Sequence, residues 1–153
     1  MGKNTAKCLF VFYCAAMLWL MFGQRIGGSN AENYAEALRL HLNLIPFRTI
    51  RWFATVGDKT SDAGLLRHAF INLTGNVIMF APLGFFLPCI WEQLRAVWKT
   101  LLWGLLLITA AELLQLLTLL GSCDVDDLIL NLLGILLGYG IWKLVTLLQK
   151  SKT

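Results

Sequence analysis

Residues 69–91 read AFINLTGNVIMFAPLGFFLPCIW, with no charge between His68 and Glu92. At about 1.5 Å of rise per residue, a helical run of this length crosses the ~30 Å hydrocarbon core of a bilayer. Pro82, Gly84 and Pro88 break helices in water, but membrane helices tolerate them where neighbouring helices re-satisfy the freed backbone groups. The stretch predicts a transmembrane helix, and the same reading extends to three further blocks.

Upstream, an apolar run from Cys8 to about Gly23 lies between Lys7 and Arg25. A signal peptide is the competing reading of Lys3 and Lys7 followed by apolar residues. No small-residue cleavage site follows Phe22, where Gly23-Gln24-Arg25 stands, so an uncleaved span is expected. Downstream, residues 100–120 form a largely apolar block with one acid, Glu112, and residues 128–148 another with one cation, Lys143. Lys143 can snorkel back to the headgroups. A hydrophobic content of 58% and a mean hydropathy of +0.66 are too high for an ordinary soluble domain. The expectation is an all-α membrane protein, with four transmembrane helices and a single membrane domain over residues 1–153.

The short flanking segments set the orientation, because their Lys and Arg are retained in the cytoplasm. Lys3 and Lys7, Arg95 and Lys99, and Lys143, Lys150 and Lys152 all fall on one side if there are four spans. The opposite short loop, 121–127, carries Asp124, Asp126 and Asp127 and no cation. Both termini are thus expected in the cytoplasm. The long loop 24–68 lies outside although it holds Arg25, Arg39, Arg48, Arg51, Lys59 and Arg67, since long loops weigh less in this rule. The net charge of +4 then reflects topology, and no basic cluster is dense enough to suggest nucleic acid. Cys8, Cys14, Cys89 and Cys123 have neither metal-site nor obvious disulfide spacing, so they read as small core residues and no cofactor is expected.

Within the long loop, Ser29 or Asn30 can cap a helix starting near Ala31, with Glu32 in its first turn. Tyr34, Leu38, Leu42 and Ile45 continue its apolar face until Pro46 ends it. Phe47, Ile50, Trp52 and Phe53, interleaved with Arg48 and Arg51, suit the headgroup level. An amphipathic segment lying in the outer interface is expected there.

Polar residues inside the spans carry the functional reading. Asn72 and Asn76 are one turn apart on one face, as are Glu112 and Gln115. Asp124, Asp127 and Asn131 form an i, i+3, i+7 stripe. Helical rise puts Glu112 ~12 Å and Gln115 ~8 Å below the outer surface, with Asn76 and Asn131 one to two turns down. A carboxylate in hydrocarbon costs from about 2.5 kcal/mol upward, so Glu112 is expected to face the bundle, with Gln115, Asn76 and Asn131 as its partners by depth. Interhelical amide bonds, worth about 0.6 kcal/mol each, explain the amides as simple glue. They explain an ionisable group less well, and Glu112 is the strongest candidate for a functional residue. The aspartates have a structural alternative in capping the last helix, which covers Asp124 or Asp126 more easily than Asp127. Gly134 and Gly138 form a G-x-x-x-G that would bring that helix against those bearing Asn76 and Glu112.

The strings Asn43-Leu44-Ile45-Pro46-Phe47, Gly75-Asn76-Val77-Ile78-Met79-Phe80-Ala81-Pro82-Leu83-Gly84, Glu112-Leu113-Leu114-Gln115 and Asp124-Val125-Asp126-Asp127-Leu128-Ile129-Leu130-Asn131, followed by Gly134 and Gly138-Tyr139, resemble the VanZ-like family. The resemblance implies a small membrane protein of the bacterial cytoplasmic membrane, whose namesake gives low-level resistance to the glycopeptide teicoplanin. Many members carry an arginine before the last acidic block, where this chain has Gly121-Ser122-Cys123.

Two functions follow as expectations. In the first, Glu112 and Asp127 act as catalytic or proton-handling groups. Asn76, Gln115, Asp124, Asn131, Arg48 and Arg51 bind a lipid-linked cell-wall precursor or other envelope lipid at the outer leaflet. In the second, the protein is a non-catalytic scaffold or shield for such precursors or their synthases, and the polar groups are glue. Transport is disfavoured because four helices leave little room for alternating access. No metal motif, nucleophile and base pair or phosphate loop is present.

Overall fold

Asp62 starts the longest helix, its side chain accepting the backbone N–H groups of Gly64 at 2.8 Å and Leu65 at 3.3 Å. A computed structural model describes residues 2–23 and 33–151 of the chain. Four of its helical stretches are long and apolar enough to cross a membrane: Lys3–Gly23, Ala63–Ile90, Val97–Leu117 and Val125–Lys150. The first comprises α1 (Lys3–Leu18) and a π-helical turn, Trp19–Gly23. The others are α4, α5 and α6. Each span begins a few residues before its expected start; for α4 and α6 the reason is that their caps, Asp62 and Asp124, lie upstream of the apolar run.

Before α4 come α2 (Tyr34–Leu40) and α3 (Arg48–Lys59). The expected cap at Ser29 or Asn30, with a start near Ala31 and Glu32, lies outside the described residues. Among the described residues Asn33 caps α2, accepting the N–H of Glu36 at 2.9 Å. The helix expected through Ile45 stops at Leu40. Leu42 and Asn43 instead form β1, paired in parallel with β2 (Cys123–Asp124) in the register Leu42 to Cys123 and Asn43 to Asp124. Helical spacing in the sequence was overridden by this long-range pairing, reinforced by the Cys123 N–H donating to the His41 carbonyl at 2.8 Å.

The segment expected to be amphipathic and interfacial is the helix α3. Its Phe53 and Val56 pack on Ala69, flanked by Leu65, Leu66 and Leu73, so α3 folds back on the start of α4.

The bundle is built around α4 and α6, which meet backbone to backbone. A Cβ at Gly134 would strike the Val77 carbonyl, one at Gly138 the Ala81 carbonyl, and one at Gly84 the Ile135 carbonyl. The G-x-x-x-G thus seats α6 on α4, as its spacing suggested. α1 packs on α4 as well, with the Tyr13 hydroxyl donating to the Met79 carbonyl at 2.9 Å.

Two links mark one end of the bundle. Lys3 reaches Glu92 at 3.4 Å, and the Tyr139 hydroxyl donates to the Arg95 carbonyl at 2.8 Å. The start of α1 therefore lies beside the α4–α5 connection. α2, α3 and the β pair crown the opposite end, where the Tyr34 hydroxyl donates to the Leu117 carbonyl at 2.7 Å.

Candidate functional site: the acidic end of the bundle

α5 closes with Leu119 in the left-handed region at φ 54°. The Leu120 N–H returns to the Gln115 carbonyl and the Leu119 N–H to that of Leu116, both at 3.1 Å. This is a Schellman-type ending with leucine where glycine is usual. The sharp stop leaves a short connection to β2, so Asp124, Asp126 and Asp127 arrive together beside the end of α5.

The three aspartates have three different roles. Asp124 caps its own helix, accepting the Asp126 N–H at 2.8 Å. Its other oxygen takes the Thr49 hydroxyl at 2.6 Å and the Asn43 amide at 3.0 Å. Asp126, wholly buried, turns to α3 and accepts the backbone N–H groups of Phe47 at 2.5 Å, Thr49 at 2.7 Å and Ile50 at 3.0 Å. It thus caps the first turn of a helix more than seventy residues away, and a negative charge is favoured at that end. It also holds Phe47 in the left-handed region, φ 62°, a conformation that costs a non-glycine residue about 1–2 kcal/mol. Asp127 points the other way, into the spans, and accepts the Asn76 amide at 2.6 Å.

The expected stripe of Asp124, Asp127 and Asn131 is therefore divided. Asp124 belongs to the crown, while Asp127 and Asn131 lie on the α4–α6 seam. Asn76, expected beside Glu112 by depth, donates its amide to Asp127. Gln115 is not turned into the seam: its amide donates to the Met21 carbonyl at 2.9 Å, fastening the π-helical turn that ends the first span.

Glu112 is buried at 4% exposure on the face of α5 shared with Gln115. Asn131 is buried at 1%. The carbonyl oxygens of Asn72 and Asn131 are buried, yet neither meets a hydrogen-bond donor among the described residues. Leaving such a group unsatisfied costs about 1–3 kcal/mol.

Cys123 sits among the acids. Burial pushes its thiol up from the ordinary range, and the negative charges of Glu112, Asp124 and Asp127 push it further in the same direction. Glu112 and Asp127 are therefore electrostatic neighbours of one atom, although they come from different helices.

Arg48 and Arg51 are placed elsewhere. Both are exposed and line an open groove of about 940 Å³ along α3, shared with Phe47, Trp52, Asp58 and Lys59. They stand over the crown rather than in the seam. Asp126, Thr49 and the cross-chain cap went unread as a unit from the sequence. The available signal was that the Asn43–Phe47 and Asp124–Asn131 strings, each with cap-forming residues, needed a reason to occur together.

A family model described as VanZ/LLP1 matches residues 10–146 of the chain. Protein VanZ of Enterococcus faecium is 26% identical over 145 residues, an alignment covering 94% of this chain and 77% of that protein. No solved structure matches.

Proposed function

This chain belongs to the VanZ/LLP1 family, and on that premise we propose that its acidic end binds a lipid-linked component of the bacterial envelope at the outer leaflet. The protein would thereby lower susceptibility to teicoplanin. The bilayer is the bacterial cytoplasmic membrane, with both termini on the cytoplasmic side and α3 lying in the outer interface. Arg48 and Arg51 on α3 hold the phosphate, for which guanidinium forks are suited. The seam residues Asn76, Asp127 and Asn131, together with Glu112, face the polar headgroup.

One observation carries this reading: Asn72 and Asn131 stand one helical turn from Asn76 and Asp127, which bond to each other, and no described donor satisfies the buried carbonyl oxygen of either. A headgroup rich in hydroxyl or amide N–H groups supplies what they lack. If the amides were glue alone, their acceptors would be paired within the protein.

A second reading has its own support. The Gln115 bond to the Met21 carbonyl and the double use of Asp124 are structural work, as a non-catalytic scaffold or shield for cell-wall precursors would show. Profiling lipids and lipid-linked precursors in cells with and without the protein tests the two. Binding at the site predicts co-purification of a precursor that is lost in the Asn131→Leu protein. A scaffold predicts the same profile and the same co-purification for both proteins.

A further inference from the structure

α1 and α5 both flank α4 without closing on each other. Between them runs a cleft of about 640 Å³, walled by Phe10 and Leu18 of α1, Leu83 and Leu87 of α4, and Leu107 and Ala111 of α5. From Phe80 to Trp91 it extends roughly 16 Å along α4, about half the thickness of a hydrocarbon core. Polar bridges fasten α1 at both ends, Gln115 to the Met21 carbonyl and Lys3 to Glu92. The cleft therefore opens sideways to the bilayer, and what enters it comes from the hydrocarbon.

At the end bearing the terminus of α1, Trp91 and Gln93 line both this cleft and an adjoining hollow of about 460 Å³, which is otherwise lined by Lys3, Lys7, Ile90 and Glu92. Lys3 and Arg95 share the one carboxylate of Glu92, at 3.4 and 3.8 Å. Lys7 is within ion-pair distance of no acid among the described residues. Three cations against one carboxylate leave this mouth positive. The Trp91 ring, set edge-on against Phe10 at 5.4 Å, stands where the two spaces join, as an aromatic does at a headgroup boundary.

We propose that the joined cleft and hollow form a binding site for one anionic phospholipid, its phosphate on Lys3 and Lys7 and one acyl chain in the α1–α4–α5 cleft. Charge complementarity favours an anionic head over a zwitterionic one, whose cationic group would meet the lysines. Size argues against a helix from a second copy. A helix 10–12 Å across and ~30 Å long sweeps on the order of 2,500 Å³, several times the cleft. Its phosphate end lies at the opposite end of the bundle from the acidic cluster, and only the deep end of the cleft, at Met21 and Ala111, approaches Gln115 and Glu112.

The test is native mass spectrometry of the delipidated, detergent-purified full chain, incubated with dioleoyl phosphatidylglycerol or dioleoyl phosphatidylcholine. The expected result is one retained phosphatidylglycerol per chain, at least threefold above phosphatidylcholine. The Lys3→Gln/Lys7→Gln double variant equalises the two lipids, and Ala111→Phe lowers the occupancy of both. Should Ala111→Phe fail to fold, Leu107→Trp gives the same readout from the half-exposed rim. Equal retention of the two lipids by the parent chain overturns the proposal. So does retention unchanged by the cleft variants, which marks a lipid held on the outer surface, or a chain dimer that those variants dissociate.

Discussion

The carboxylate of Asp126, at the start of the last span, accepts the backbone N–H of Thr49 at 2.7 Å, at the start of the helix that carries Arg48 and Arg51. This bond and its neighbours to Phe47 and Ile50 make the position of the arginines depend on an acid in α6.

Asp126→Ala removes the acceptor of three backbone donors. A hydrogen bond to a charged group is worth about 1.5–3 kcal/mol. Hydrogen exchange should rise at least tenfold at the amides of residues 47–50, with the amides of Phe80 to Leu87 unchanged. Equal protection in the variant would show that α3 holds its place without Asp126.

Gly138→Ala places a methyl group on the Ala81 carbonyl and should cost about 1–3 kcal/mol through overpacking. Gly140→Ala, two residues on, meets nothing within 4 Å. Thermal unfolding in detergent should fall clearly for the first and stay within a degree or two, or rise, for the second. Similar midpoints for both would contradict the close α4–α6 seam.

The Cys123 thiol is raised by burial and by the surrounding carboxylates. Its thiolate fraction at neutral pH is therefore below that of an ordinary cysteine, and alkylation should accelerate as pH rises beyond the usual thiol range. With Cys8, Cys14 and Cys89 replaced by alanine, Asp127→Asn removes one of the raising charges and should shift the rate profile to lower pH. An unshifted profile would mean that Asp127 does not act on this thiol.

The proposed orientation, with both termini cytoplasmic, rests on the lysines and arginines of the short segments. In a chain whose four cysteines are replaced, a membrane-impermeant maleimide added to intact cells should label Asp58→Cys on α3 and spare Ser151→Cys. The reverse pattern would invert the topology and move the acidic end to the cytoplasmic side.

The four spans were legible because each apolar block is close to the bilayer's thickness, and the seating of α6 on α4 because Gly134 and Gly138 repeat at one turn. The crown was not. Leu42 and Ile45 keep helical spacing with Tyr34 and Leu38, and nothing local reveals that residues 42–43 pair with 123–124 across eighty positions. α3 was hidden for a similar reason, since its first turn begins at a left-handed Phe47 and is capped by Asp126 from another helix. Among the polar residues, depth alone did not single out Asp127 as the acceptor of the Asn76 amide. The bond from Gln115 to the Met21 carbonyl was not legible, because a backbone acceptor carries no side-chain signal.

The most direct test of the central claim is teicoplanin susceptibility in cells expressing Glu112→Gln and Asp127→Asn variants at matched membrane levels. Both substitutions keep size and one acceptor oxygen while replacing the other with an amide donor and removing the ionisable proton. Binding at the acidic end predicts that each variant loses most of the protection given by the parent chain. Full protection by both at equal abundance would contradict it.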